Sequence, residues 1–233
     1  MFLARAAVGA LISFVATFCA AQGSTADWTE QDLVAAAALR DHALSGTSAF
    51  EHVESLVTEV GPRFAGTAGD AAAVRWAMNR LGKLGFSKVR SQDVLVPRWV
   101  RGTAEITLLG TSPQPLVGTA LGGSIGTNEQ GIEAVVLRVD SFDALQTLEA
   151  SAVANKILFI DYRMQRARDG RDYSNAVRAR VLGPSAAAKL GAVALVIRSV
   201  GTSSDRIAHT GSLNYSIDAP RIPAFALAHP DAD

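Results

Sequence analysis

Four short apolar runs in the second half of the chain limit what it can fold into more than any other feature. They are "EAVVLRV" (133–139), "KILFID" (156–161), "AVALVIRS" (192–199) and "IPAFALA" (222–228). Each has the length of one strand and is rich in Val, Ile, Leu or Phe, so each reads as a strand, with "KILFID" buried. Helix signals fall between them. Ser141 caps "FDALQTL", and Pro184 opens "PSAAAKL", which Gly191 ends. Strands alternating with short helices indicate an α/β module. "PLVGTAL" (115–121) adds one more strand before a polar glycine turn through Gly131, and the charged stretch "YRMQRARDGRDYS" (162–174) reads as a solvated loop.

The part before residue 111 has a different texture. Thr29, with Asp32 three residues on, caps a first helix that Gly46 ends. "SAFE" (48–51) reads as a second capping box, and Phe50, Val53, Leu56, Val57 and Val60 then recur at helical spacing. His42 and His52 lie on these helices among polar neighbours and receive no role. Gly61-Pro62 stops the second helix, Thr67 caps a third with Asp70 at its third position, and Gly85 closes it. A glycine-rich turn before a helix can cradle phosphate, but "GPRFAGT" lacks the following Gly-Lys-Ser/Thr and is preceded by a helix, not a strand. It is chain punctuation. Two strands are expected next, Lys88–Val96 and Thr103–Gly110, joined by "PRWVRG".

The beginning of the chain carries a targeting signal. Arg5 precedes the apolar run "AAVGALISFVATF" (6–18), which is too short for a transmembrane helix and suits a signal-peptide core. Small residues at Cys19 and Ala21 fit cleavage before Gln22, so residues 1–21 are expected to direct the chain to a secreted or periplasmic location. Cleavage would remove Cys19, the single cysteine, leaving a fold that rests on its core and not on disulfides. The 233 residues carry a formal net charge of zero with arginines scattered singly, so neither nucleic acid nor an anionic membrane is an expected partner.

Three constellations bear on chemistry. "GGSIG" (122–126) matches the G-x-S-x-G elbow of serine hydrolases, with Asp161 and His209 following in the hydrolase order. The elbow requires a helix directly after the serine, however, and here "TNEQG" and another strand follow. A glycine-rich loop is the better reading, and Ser124 as a nucleophile stays a distant third. "HPD" (229–231) has the form of an H-x-D metal motif, yet a catalytic zinc site needs at least three protein ligands and His209 is the only other histidine in this half. "HTG" (209–211) lies in a polar loop, where His209 is a candidate contact to a substrate or an adjoining domain. Pro230, Asp231 and Asp233 stand where a helix begins, so the chain is expected to be truncated within that first turn.

"EVGPRFAGT", "VPRWVRG", "LGGSIGT", "SFDAL", "KLGAVALVIRSV", "HTG" and "RIPAFALA" occur in an order that resembles the carboxypeptidase Q family, plasma glutamate carboxypeptidase and its bacterial relatives. The likeness covers nearly all of the chain after the leader. It implies an α/β fold in which residues 22–110 are the N-terminal helices and first strands of an α/β/α zinc-exopeptidase domain. Residues 111–233 would be an inserted, β-rich α/β protease-associated domain, cut near its end. It also implies two zinc ions in the full-length protein and dipeptides or short peptides as substrates. The family's zinc ligands lie after the protease-associated domain, and "AHPDAD" aligns with the strand-to-helix boundary before them. No catalytic residue and no metal ligand can therefore be placed in this chain, which alone is expected to bind no zinc and hydrolyse nothing. The competing expectation is a non-catalytic, secreted protease-associated binding module. Neither substrate preference nor oligomeric state follows from these residues.

Overall fold

The computed structural model describes residues 28–233, so the segment read as a signal peptide lies outside the described residues. The chain forms two compact units, the first ending at Ser55 and the second running from Leu56 to Asp233. In the first unit, helix α1 (Glu30–Ser45) begins at the expected capping box. The Asp32 N–H donates to Thr29 Oγ1 at 3.2 Å and the Thr29 N–H returns a bond to Asp32 Oδ2 at 3.0 Å. Helix α2 (Ser48–Ser55) starts one residue away from expectation. Its first bond runs from the Glu51 N–H to the Thr47 carbonyl at 3.0 Å, and the Thr47 hydroxyl donates to Glu51 Oε1 at 2.6 Å, so Thr47 takes the position expected of Ser48.

The second unit opens with a π-helical turn (Leu56–Val60), where the helical pattern from Phe50 to Val60 was expected to stay α. Gly61 ends it at φ +71°. Helix α3 (Ala68–Lys83) has the Thr67 cap, whose hydroxyl accepts from the Asp70 N–H. Its far end is a Schellman closure: the Phe86 N–H reaches the Leu81 carbonyl, the Gly85 N–H reaches Gly82, and Gly85 sits at φ +89°. The strand expected over 88–96 is not formed. No ladder partner pairs with it among the described residues, and Val94 and Leu95 stay exposed. Of the strand expected over 103–110 only β1 (Ile106–Leu108) forms, antiparallel to β2 (Gln114–Leu116). The segment 97–102 ties back to the chain that follows, with Arg101 donating to the Ala120 carbonyl and Trp99 Nε1–H donating to the Ser124 carbonyl in the loop beyond, at 3.0 Å.

The core is a five-stranded sheet in the order β3-β7-β6-β5-β4, built from β3 (Gly118–Ala120), β4 (Val136–Val139), β5 (Ile157–Ile160), β6 (Ala194–Arg198) and β7 (Ala224–Leu227). Strands β4 to β7 are mutually parallel and β3 is the antiparallel edge. Parallel strands are covered on both faces, which is why "KILFID" and "AVALVIRS" are almost continuously apolar. Period two divides them. Leu158, Ile160, Leu195, Ile197 and Ala226 point into the main core, while Ile157, Phe159, Val196, Phe225 and Leu227 pack with Ile106 and Leu116 of the β1–β2 ribbon on the other side.

Helices α4 (Phe142–Gln146), α5 (Ala150–Val153), α6 (Tyr173–Val181) and α7 (Gly183–Lys189) supply the crossovers. Ser141 caps α4 as read from the sequence, its hydroxyl accepting from the Ala144 N–H at 3.0 Å. Helix α6 was not foreseen, since its first two residues fall in the charged stretch read as a loop. The strand expected over 115–121 is broken at Val117. There the N–H donates to Asp231 Oδ1 at 2.9 Å and the carbonyl accepts from Ala228 at 2.8 Å, so the chain leaves one sheet and enters the other. Gly118 is required immediately after the break, because the Phe225 ring lies where a Cβ would stand. Helix α8 (His229–Ala232) follows β7.

Candidate functional site

Because β5, β6 and β7 are parallel, their carboxyl ends reach one edge of the sheet together. Asp161 follows β5, Arg198 is the last residue of β6, and His229 opens α8 just past β7. In open α/β sheets this edge is where ligands bind. A cleft of about 310 Å³ lies there, bounded by the loop after β5, the loop after β6 and α8.

Arg198 organises the edge. Its side chain is 2% exposed and its Nε donates to Asp161 Oδ1 at 2.5 Å, while Arg138 donates to Asp161 Oδ2 at 2.8 Å. Arg198 also reaches the α8 carbonyls of His229 at 3.0 Å and Ala232 at 3.2 Å, and Asp233 Oδ1 at 2.9 Å. A buried ion pair is sustained only when its remaining donors and acceptors are satisfied, and here the guanidinium is nearly saturated. Arg163 donates to the same Asp233 oxygen at 2.5 Å. The Arg163 and Arg198 guanidiniums hold the Asp233 carboxyl below its ordinary pKa. Asp231 is bidentate to Arg206 at 2.7 and 2.8 Å, which lowers its pKa as well. His229 moves the other way from a paired histidine. Burial, then the charges of Arg198 and His209, push its pKa below the ordinary value, so the ring is neutral at pH 7. Its Nε2 is buried without a hydrogen-bond partner.

The residues singled out in the sequence end up in separate tasks. Ser124 is buried, followed by irregular chain and not a helix, and its Oγ accepts from the Ala224 N–H and donates to the Ile125 carbonyl, both at 2.8 Å. Asp161 is committed to Arg138 and Arg198. The nucleophile–base–acid relay that a hydrolase needs is therefore not assembled from these residues. His209 is exposed on the loop after β6, its N–H donating to Ser199 Oγ at 2.8 Å, and its imidazole is near enough to His229 to lower that ring's pKa. The "HTG" loop is stitched to the end of β3 by the Gly122 N–H to Gly211 carbonyl bond at 2.9 Å and by the Thr210 hydroxyl on the Ala120 carbonyl at 3.0 Å. Among the described residues no group of three or more His, Cys, Asp or Glu could hold a metal ion. With Asp231 and Asp233 both bound to arginines, His229 does not fit a catalytic zinc site.

The arginines were the residues sequence reading passed over. The available signal was an arginine at the end of the apolar strand "AVALVIR" and an aspartate closing "KILFID", the strand before it. A charge at the end of a buried strand needs a partner.

No protein-family model matches the chain. The fold does have solved counterparts. A peptidase M28 precursor from Shewanella amazonensis SB2B is 46% identical with a TM-score of 0.81, over 86% of this chain and 45% of that one. A zinc aminopeptidase from Bacillus subtilis, 21% identical with a TM-score of 0.51, shares the fold over 79% of this chain and 39% of its own. The sheet and its helices thus have the architecture of a peptidase M28-type protein. Human carboxypeptidase Q is 35% identical over 184 residues, which are 79% of this chain and 38% of the human protein. The Xenopus laevis protein is 32% identical over 192 residues, 82% of this chain and 39% of its own. Over the stretch it shares with them, the chain is similar to the carboxypeptidase Q proteins. It spans about two fifths of the length of these curated relatives.

Proposed function

We propose that the chain is the N-terminal portion of a secreted, zinc-dependent exopeptidase of the carboxypeptidase Q type that hydrolyses dipeptides or short peptides. The observation that carries this reading is the 46% identity and TM-score of 0.81 to a peptidase M28 precursor over 86% of the chain. The match takes up only 45% of that protein, and the described residues contain no cluster able to hold zinc. The ligands for two zinc ions, and the general base, are thus assigned to the part of the relatives that lies outside the match. Zinc bound there would polarise the scissile carbonyl and activate water. No residue described above takes part in that step.

Residues 22–110 are assigned to the start of the peptidase domain and 111–233 to the protease-associated domain. In support, all five strands of the main sheet and their covering helices fall between Gly118 and Leu227. Exposed on the loop after β6, His209 is the candidate contact to a substrate or to the adjoining domain. No helix among the described residues is long and apolar enough to cross a membrane. The second reading is a non-catalytic secreted protease-associated binding module.

Metal analysis paired with dipeptide hydrolysis separates the two readings. Chain 1–233 is expected to carry no stoichiometric zinc and to show no chelator-sensitive turnover. A protein extended to the length of carboxypeptidase Q is expected to show both. Chelator-sensitive cleavage by residues 1–233 alone would overturn the assignment of the ligands, and an extended protein without zinc would favour the binding module.

A further inference from the structure

We infer that Phe64, Trp99 and Arg101 form a latch between the turn before α3 and the "HTG" loop. It holds the regions assigned to the peptidase and protease-associated domains in one orientation and keeps His209 in place. The latch rests on that division of the chain, while its test measures exchange and not turnover, so its failure is distinct from that of the peptidase reading. Coupling of this kind is carried by contiguous packing and hydrogen bonds. The Thr67 hydroxyl at the start of α3 donates to the Phe64 carbonyl at 2.6 Å. The Phe64 ring meets Trp99, with centroids 5.5 Å apart and planes tilted by 57°. Beside them the same turn lies against the strap, since a Cβ on Gly66 would touch Val96 and Arg98 at 3.7 Å. Trp99 makes two further contacts. Its Nε1–H holds the Ser124 carbonyl at 3.0 Å, and its ring carries the Arg101 guanidinium 4.8 Å from the centroid. Arg101 donates to Thr119 Oγ1 at 3.2 Å and to the Ala120 carbonyl, the oxygen that also receives the Thr210 hydroxyl at 3.0 Å. That one carbonyl joins strap and loop. The Gly122 N–H on the Gly211 carbonyl and the Leu213 N–H on the Gly122 carbonyl, both at 2.9 Å, continue the seam.

Arg101 makes the arrangement a latch and not ordinary packing. It is half-buried, and burial alone lowers its pKa, with no carboxylate opposing. A cation so placed is stable only while an aromatic face and acceptor oxygens replace its lost water. Once Trp99 moves away, the guanidinium is better hydrated in solvent, and the Ala120 carbonyl loses that donor. The contact is therefore made whole or not at all.

Amide hydrogen exchange on the full chain tests the coupling, because Phe64 stands at the far end of these contacts from Gly122 and Leu213. Phe64→Ala is expected to speed exchange of the Gly122 and Leu213 amides about tenfold, with the Leu195 and Asp161 amides of the sheet unchanged within about twofold. Trp99→Phe keeps an aromatic ring and removes the indole N–H, and is expected to fall between the wild type and Phe64→Ala. Phe64→Ala combined with Trp99→Ala is expected to exchange no faster than Trp99→Ala alone, as for two parts of one device. Phe64→Leu serves as a second variant should Phe64→Ala fail to fold. Unchanged exchange at Gly122 and Leu213 in the Phe64 variant, an equal rise throughout the sheet, or additive effects in the double variant would each overturn it.

Discussion

Ser124 shows at the residue scale how a motif can be correct in letters and wrong in chemistry. Its hydroxyl ties the 122–126 loop to the start of β7 through the Ala224 N–H. Ser124→Ala leaves that buried N–H unpaired and is expected to cost about 1–3 kcal/mol in urea unfolding, with no change in any ester or peptide hydrolysis. Loss of a hydrolytic activity without loss of stability would restore the nucleophile reading. His229 gives a second prediction. Its folded pKa lies below the unfolded value of 6.5, through burial first and then through Arg198 and His209, with Asp233 opposing and Arg163 adding. The unfolded chain then takes up the proton first, so stability falls as pH drops through 6.5 toward the folded pKa. Denaturation at pH 7 and at pH 5.5 should show this fall in the wild type and a smaller one in His229→Gln. A slope unchanged by the substitution would mean that the ring is solvated.

Among the elements, α3 was legible from end to end because its signals are local. Thr67 supplies the cap, and Gly85 supplies the left-handed position of the Schellman closure. An alanine at Gly85 is expected to destabilise by about 1–2 kcal/mol and one at Thr67 by about 1 kcal/mol, read as shifts of the denaturation midpoint at constant slope. The buried strands were equally readable, since each run of Val, Ile and Leu must be covered on both faces. The segment 88–96 failed because a strand is a property of a pair, and Leu95 and Val94 carry no record of whether a partner exists. Helix α6 was hidden for the opposite reason. It buries only two alanines, Ala176 and Ala179, and its N-terminal neighbour Asp172 spends its carboxylate on Tyr162, Gln165 and Asn175 instead of capping.

For the whole molecule, order carried more information than any one motif. The sequence of segments from "EVGPRFAGT" to "RIPAFALA" pointed to the carboxypeptidase Q relatives that comparison found at 35% identity. The cleft was not legible, because Asp161, Arg163, Arg198 and Asp233 meet only once β5, β6 and α8 share an edge. Acid behaviour belongs to this scale too. Lys189 and Ser216 hold Asp218 at about 2, Arg206 lowers Asp231, and Arg163 with Arg198 lowers Asp233. Carboxyls with depressed folded pKa values contribute stability above the unfolded value near 3.8 and lose it as pH falls toward 2. A circular-dichroism titration is expected to show a flat signal down to about pH 4 and unfolding below it, shifted upward by Asp231→Asn.

The break at Val117 also orders events in time. Strand β3 pairs only with β7 in its sheet, and the Val117 N–H waits for the carboxylate of Asp231, over a hundred residues later. At synthesis rates of about 5–20 residues per second, those groups stay solvated for roughly 5–20 s before their partners leave the ribosome. During that interval strands β4, β5 and β6 can zip in sequence, each beside its predecessor. The antiparallel edge is therefore the last part of the sheet to close, and until it does the β1–β2 ribbon hangs from an unpaired strand that another nascent copy could seize.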